Sequence, residues 1–440
     1  MNGRHRPRIV AHVLSYPPYR RIGAELATHH LLDFLAGCGW NSIAVAHTVP
    51  GLIPRRVDGV HLATPELAHH SRPDIVLTHI PFTLHAQAHA TRCGAPLVAS
   101  GHGGPPGWLA AHAAGIEPAP SLLLANSQGM AVSLKRTGLP VHVLRPPIDW
   151  PTDRREPQGE SITLVNAAPD KGGRLLRQLA RRHPDLPFLV VQGGYGVQAR
   201  FEDLPNVTVL RHGTPMPSVW DLTRILLVPS REESWGMVAV EAMARGIPVL
   251  ASTATGLSEC VGPDMPRIDL GAVDAWSATL VEAYADPRWS QLHICALRRA
   301  AELDPLPDLL ATRRHLARLI GVEDPVGGRR YRNVRTHQEV DLDSVAPFVA
   351  RRIEADRLVW HPVDTPKTTG SGSQVAPARG VEPRPDPVDL AQPGLTLPRT
   401  VRPAINAPVS EWVDYVVACG VERKPAEQAS KATLIALYGG

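Results

Sequence analysis

The chain has 440 residues, 43% apolar and 20% charged, with a formal net charge of +4. That is a globular composition, long enough for two or three domains and too mildly basic to argue for nucleic acid by charge alone. No apolar stretch is long enough to span a bilayer. The five cysteines are scattered, odd in number and without a C-x-x-C, which fits reduced thiols in a cytoplasm and argues against a zinc site.

The N-terminus is basic but holds only the short apolar run Ile9–Leu14, so it reads as a first strand rather than a signal peptide. Further strands are predicted at Ser42–Ala46, Ile75–Leu77, Leu97–Ser100, Leu122–Ala125 and Val141–Leu144. After the polar stretch Asp149–Ser161, a second series follows at Ile162–Val165, Phe188–Val191, Val207–Leu210, Ile225–Val228 and Pro248–Ala251. Strands alternating with helical patterns imply an α/β chain with two doubly wound, Rossmann-like domains, residues 1–150 and 151–322. In open sheets of this kind ligands bind beyond the carboxyl ends of the strands.

Several loops occupy such ends. Pro17–Glu25 follows the first strand and carries Gly23, and Ser100–Gly104 carries His102. Val165–Gly173 carries Asn166 and Lys171. The fullest signal is residues 224–252, RILLVPSREESWGMVAVEAMARGIPVLAS. It predicts a strand, a polar loop, a helix from about Ser234 to Arg245, a Gly246 stop, and a second strand after Pro248. Glu241 is a lone carboxylate among small and apolar residues, costly to bury unless paired. Glu233 lies eight positions earlier, about 12 Å along a helix axis. Trp235, Gly236 and Met237 fall between them, where unpaired helix N–H groups favour phosphate. Phosphate in the middle and hydroxyl-bearing groups at each end is the layout of a nucleotide sugar.

This segment resembles the signature of the retaining glycosyltransferases of family four, which have the GT-B fold: two Rossmann-like domains facing across a cleft. The matching residues are Glu233, Trp235-Gly236, Glu241-Ala242-Met243-Ala244 and Gly246-Ile247-Pro248-Val249. The resemblance covers roughly residues 8–320. It implies transfer of a hexosyl unit from a nucleotide diphosphate sugar, with retention, no metal and no cofactor beyond the donor. It places Glu233 on the sugar hydroxyls, Glu241 on the nucleotide ribose, and Lys171 with the Trp235–Met237 amides on the departing diphosphate. It places His102 near the transferred sugar and Gly23 near donor phosphate and acceptor. Relatives commonly carry an arginine where this chain has Asn166, which can still donate hydrogen bonds; a second cation would then come from elsewhere, such as Arg20 or Arg21. The acceptor is open between protein, glycan and nucleic acid. Two alternatives stand beside this reading: a GT-B sugar-nucleotide epimerase, and a non-catalytic sugar-fold protein for binding or virion docking.

Rival signatures are absent or misplaced. There is no G-x-x-x-x-G-K-[ST], and Gly193-Gly194-Tyr195-Gly196 is not a dinucleotide fingerprint. Asp341-Leu342-Asp343 has metal-binding spacing but sits in a polar tail without a surrounding domain.

Beyond residue 322 the character changes. Residues 323–362 read as a small β/α module, with strands near Tyr331–Val334 and Glu339–Val340 and a short helix. Residues 363–404 are a Pro/Gly/Ser-rich linker. Residues 405–440 regain pattern, with Ser410 and Ser430 placed to cap two helices, the first carrying Trp412, Val413, Val416 and Val417. They resemble helix-extension-helix modules, and both tail modules resemble small modules of actinobacterial phage proteins, suggesting a phage or prophage origin and a host-cytoplasmic enzyme. The expectation is that the two domains fold without the tail, which serves to engage a protein partner.

Overall fold

The computed structural model describes residues 6–322 apart from 21, 50–53, 80–82, 102–118, 149–150, 152–156 and 195, together with three short strands between 330 and 362 and parts of 403–434. Two α/β domains account for most of it. The first is an eight-stranded sheet of order β3-β4-β2-β1-β5-β6-β7-β8. Its strands are β1 Arg8–Val13, β2 Asn41–Ala46, β3 Arg55–Val57, β4 Val60–Ala63, β5 Ile75–His79, β6 Leu97–Gly101, β7 Leu122–Ala125 and β8 Val141–Val143. All neighbours pair in parallel except β3 with β4. The second is a six-stranded parallel sheet of order β11-β10-β9-β12-β13-β14. It comprises β9 Ser161–Val165, β10 Phe188–Val191, β11 Val207–Leu210, β12 Thr223–Val228, β13 Val249–Ser252 and β14 Arg267–Ile268.

Both sheets are covered on two faces, as parallel sheets require. Every residue of β1, β5, β7, β10 and β13 is buried, which is why these strands read as unbroken apolar runs. In the second domain, Leu175, Leu176 and Leu179 together with Val240, Met243 and Trp276 of other helices pack on Ile225–Val228. In the first domain, Leu31, Leu32 and Leu35 of the helix Gly23–Gly37 cover Ile9, Ala11 and Val13. Each fully buried side chain of this kind is worth about 1.5–3 kcal/mol.

Two findings revise the expected boundaries. The helix Leu306–Leu319, assigned by sequence order to the second domain, packs Leu306, Leu309, Leu310 and Leu316 into the core of the first. The Arg145 guanidinium secures its start through Asp308 at 3.0 Å, while burial pushes the Asp308 carboxyl up against the opposing pull of that arginine. The tail also returns. Trp412, Val413 and Val416 of the helix Val409–Ala418, with Ala426 and Leu434, close over Val10, Ile43, Val45, Ala63 and Leu67. Val10 of β1 and Ile43 and Val45 of β2 lie on the face away from the helix Gly23–Gly37, beside Ala63 of β4 and Leu67 of the helix Pro65–Ala68. The apolar stripe expected to meet a partner is therefore buried against the chain's own first domain. Ser410 lies inside the first turn of its helix rather than capping it, and Ser430 lies outside the described residues.

Between the domains and these helices, Arg330–Asn333 pairs antiparallel with Glu339–Asp341 and with a third strand, Trp360–Pro362, that the sequence did not signal. The expected short helix there, Asp343 and residues 363–402 of the linker lie outside the described residues.

Candidate functional site

The carboxyl ends of the two sheets face each other, and contacts among the described residues join them. Asn126, just past β7, donates from Nδ2 to Ser234 Oγ at 2.8 Å. A Cβ placed on Gly23, just past the β1 loop, would lie 3.5 Å from Met237 Sδ. The Glu259 carboxylate accepts the Gln128 N–H at 2.8 Å and the Gly129 N–H at 3.3 Å. The last contact caps a first-domain helix, Gln128–Leu134, with a side chain from the second domain. Sequence reasoning missed Glu259, because nothing local marks a carboxylate whose partner lies 131 residues away. Glu259→Ala is expected to cost about 1–2 kcal/mol, since it removes charge-assisted bonds to backbone donors at a partly exposed site. Calorimetry should show melting a few degrees lower, and small-angle scattering a larger radius. An unchanged melt and radius would mean the strut carries no load.

On the second-domain side, Lys171 Nζ meets Glu233 Oε2 at 2.9 Å, each side chain 20% exposed. Ser230 Oγ donates to the same oxygen at 3.4 Å, and Ser252 Oγ holds the Ser230 carbonyl at 2.5 Å. Glycine makes this meeting possible. Gly172 sits at φ 92° with its absent Cβ directed at Pro229, so the turn Pro169–Lys171 packs against the loop that follows β12. The Arg231 N–H to the Asp170 carbonyl, 2.8 Å, ties the same two loops. A cation and a carboxylate from residues 62 apart are thereby held at the mouth of the cleft.

The other expected residues fall into place unevenly. The helix begins at Met237, not Ser234: Gly236 is its N-cap at φ 106°, a conformation that breaks the helix before it. Glu233 and Trp235 therefore belong to the loop. Trp235 is 2% exposed and anchors that loop in the second-domain core; only its backbone remains available to a ligand. Glu241 is half-buried on the helix Met237–Met243. Asn166 adopts φ 70°, and its Oδ1 accepts from the Ala168 N–H at 3.1 Å and Gln198 Nε2 at 3.0 Å. Gln198 in turn accepts the Ala167 and Gly193 N–H groups. Asn166 thus shapes the loop that presents Lys171. Arg20 is exposed on the first-domain loop. Arg21 and His102 lie outside the described residues.

Two Rossmann-like domains with their strand ends apposed form the GT-B architecture. Sucrose-phosphate synthase from Thermosynechococcus elongatus superposes with a TM-score of 0.61 at 17% identity, over 72% of this chain and 100% of that one. HepE of Anabaena in complex with UDP and glucose gives 0.57 at 15%, over 71% and 100%. Residues 173–286, most of the second domain, match the family Glycosyl transferases group 1. Among curated relatives, a D-inositol 3-phosphate glycosyltransferase of Segniliparus rotundus is 35% identical over 164 residues, 33% of this chain and 34% of that protein. The O-antigen chain mannosyltransferase B of Escherichia coli is 34% identical over 77 residues, 18% and 20%. The chain thus spans about a third or less of the length of these relatives. Among the described residues no helix is long and apolar enough to cross a membrane.

Proposed function

We propose that the chain transfers a hexosyl unit from a nucleoside diphosphate sugar to an acceptor, with retention of configuration and without a metal. The observation that carries this reading is the Lys171–Glu233 pair at 2.9 Å, set between loops of the second domain and opposite Gly23 and Asn126 of the first. Group 1 homology over the second domain, and the fold shared with a protein that was solved with UDP-glucose, support a nucleotide-sugar donor.

Roles follow from the chemistry of each group. The Lys171 ammonium stabilises charge developing on the departing diphosphate, the kind of electrostatic help that matters most in a closed cleft. Glu233 leaves its pairing with Lys171 to accept hydrogen bonds from sugar hydroxyls. Glu241 receives the ribose hydroxyls, and the Gly236 and Met237 backbone amides face phosphate. Gly23 leaves room for the donor opposite Met237. His102, which follows β6 in sequence, is assigned to the sugar by position. The apolar stripe of the tail helix Val409–Ala418 is covered by the first domain, so a protein partner for the tail would engage other surfaces of it.

A panel of UDP, GDP, ADP and TDP sugars tests the reading by thermal shift and nucleoside diphosphate release. A donor at a hundredfold excess over its Kd adds about 2.7 kcal/mol of stability. Release of diphosphate that persists in EDTA is expected. Activity lost in EDTA and restored by manganese would move the phosphate chemistry onto a metal. A product that is an epimerised sugar or nucleotide, formed without any acceptor, would replace transfer with epimerisation.

A further inference from the structure

The helix Thr255–Val261 of the second domain touches both sides of the cleft. Its first turn seats the loop that carries Glu233. The Gly256 N–H donates to the Glu233 carbonyl at 3.1 Å, and a Cβ on Gly256 would collide with that carbonyl and with the Ser234 backbone. Glycine is needed for the two backbones to come this close. Farther along the helix, Cys260 Sγ donates to the Gly236 carbonyl at 3.5 Å, and Leu257 fills the space that a Cβ on Gly236 would need. The segment from Glu233 to Gly236 is therefore seated on this helix.

The end of the same helix is pinned to its own domain. Arg299, on the helix Asp286–Glu302, donates from Nε to the Cys260 carbonyl at 3.0 Å and from Nη2 to the Glu259 carbonyl. From this fixed support the Glu259 side chain crosses to the first domain. Besides the Gln128 and Gly129 N–H groups, its carboxylate meets Arg145 Nε at 3.9 Å, the arginine that also holds Asp308. Gln128 and Gly129 come two and three residues after Asn126, whose Nδ2 donates to Ser234 Oγ. One short helix thus supports the loop that bears Glu233 and grips the first-domain edge that faces it.

Resting on the glycosyl-transfer reading above, we infer that Glu259 is a positioning residue for the reaction: through the helix Thr255–Val261 it sets the first-domain side of the cleft in register with Glu233. Glu259 itself touches no reacting atom. The groups assigned to the donor nucleotide and its phosphates, namely Lys171, Glu241 and the Gly236 and Met237 amides, all belong to the second domain. Nucleotide binding therefore needs no contact across the cleft. Transfer does, because Gly23 and the loop at Asn126 must stand opposite Glu233, and a misplacement of about 1 Å at a reacting centre costs about a hundredfold in rate.

The test compares Glu259→Ala and Gln128→Pro, singly and together, in the full chain. Gln128→Pro deletes one receiving N–H from the opposite side and leaves Glu259 in place. Proline suits the position: Gln128 is the first residue of its helix, and Ser127, at φ −158° and ψ 164°, already has the extended backbone that precedes a proline. With the nucleotide sugar that releases diphosphate fastest, kcat is expected to fall about tenfold to a hundredfold in Glu259→Ala and less in Gln128→Pro. The Kd for the matching nucleoside diphosphate should stay within about twofold of wild type, and the double variant should be no slower than Glu259→Ala alone. Hydrogen exchange reads the register without turnover: in Glu259→Ala the amides of 126–130 and of 233–236 should both exchange faster. Faster exchange at 126–130 alone, with kcat and 233–236 as in wild type, would leave Glu259 a purely structural tie and overturn the inference. A loss of nucleotide affinity as large as the loss of kcat would overturn it too. A chain that releases diphosphate from no donor sinks the transfer reading instead, and exchange at 233–236 still decides whether Glu259 sets that loop.

Discussion

Glu233→Ala is expected to lower turnover by about 10²–10³-fold or more, the usual effect of removing one preorganised polar contact from a transferring centre, while leaving the fold intact. The two halves of this expectation come from different observations. Glu233 lies in the loop ahead of the helix Met237–Met243, 20% exposed, and its stabilising contact is an ion pair with an equally exposed lysine. Such pairs are worth about 0–1 kcal/mol, so the melting curve and far-UV spectrum should barely move. The loop is held instead by Trp235 in the core, by Gly172 against Pro229 and by the Arg231–Asp170 backbone bond. Lys171→Ala should lower turnover too, and the double variant should fall short of the product of the two single losses, because each residue positions the other. Diphosphate release at the wild-type rate from a folded Glu233→Ala chain would remove Glu233 from the site.

The sheets were legible because their strands are buried on both faces. Ile225–Val228 and Val249–Ala251 show up as apolar runs whatever packs on them. The β3–β4 hairpin was not, although Asp58-Gly59 is a turn signal: Arg55 and Arg56 at an exposed edge break the apolar pattern that marks a strand. At the site, residue types and order pointed to Glu233 and Lys171, but their meeting depends on the Gly172–Pro229 approach, which links loops from two strands. The helix start was placed three residues early. Gly236 in the left-handed region is the N-cap, while Trp235 turns into the core. Asn166 was read for its donors, whereas its positive φ and its bond to Gln198, 32 residues on, make it a part of the loop's frame.

The tail shows a different limit. The spacing of Trp412, Val413 and Val416 gives an apolar stripe, and periodicity says only that such a stripe is covered, not by what. Sequence reasoning gave it to a partner and treated everything beyond 322 as dispensable. The structure gives it to Val10, Ile43 and Val45, a sheet face that the tail helices cover.

Truncation after residue 404 is therefore expected to destabilise the first domain severely. It would strip Val10, Ile43, Val45 and Leu67, all fully buried, of their cover, and exposed apolar patches of that kind favour aggregation. Trp412→Ala is the sharper version, since Trp412 is 0% exposed and emptying a buried tryptophan site costs about 3–5 kcal/mol. At about 2–4 °C per kcal/mol for domains of this size, the melting temperature should fall by roughly 6–20 °C. Among the described residues the second-domain core contains no tail residue, so whatever Trp412→Ala protein stays soluble should still bind nucleotide. That separation matters: falling stability with retained nucleotide binding places the tail in the first-domain fold, whereas a truncated chain that melts at the wild-type temperature would return the tail to the role of a tethered module.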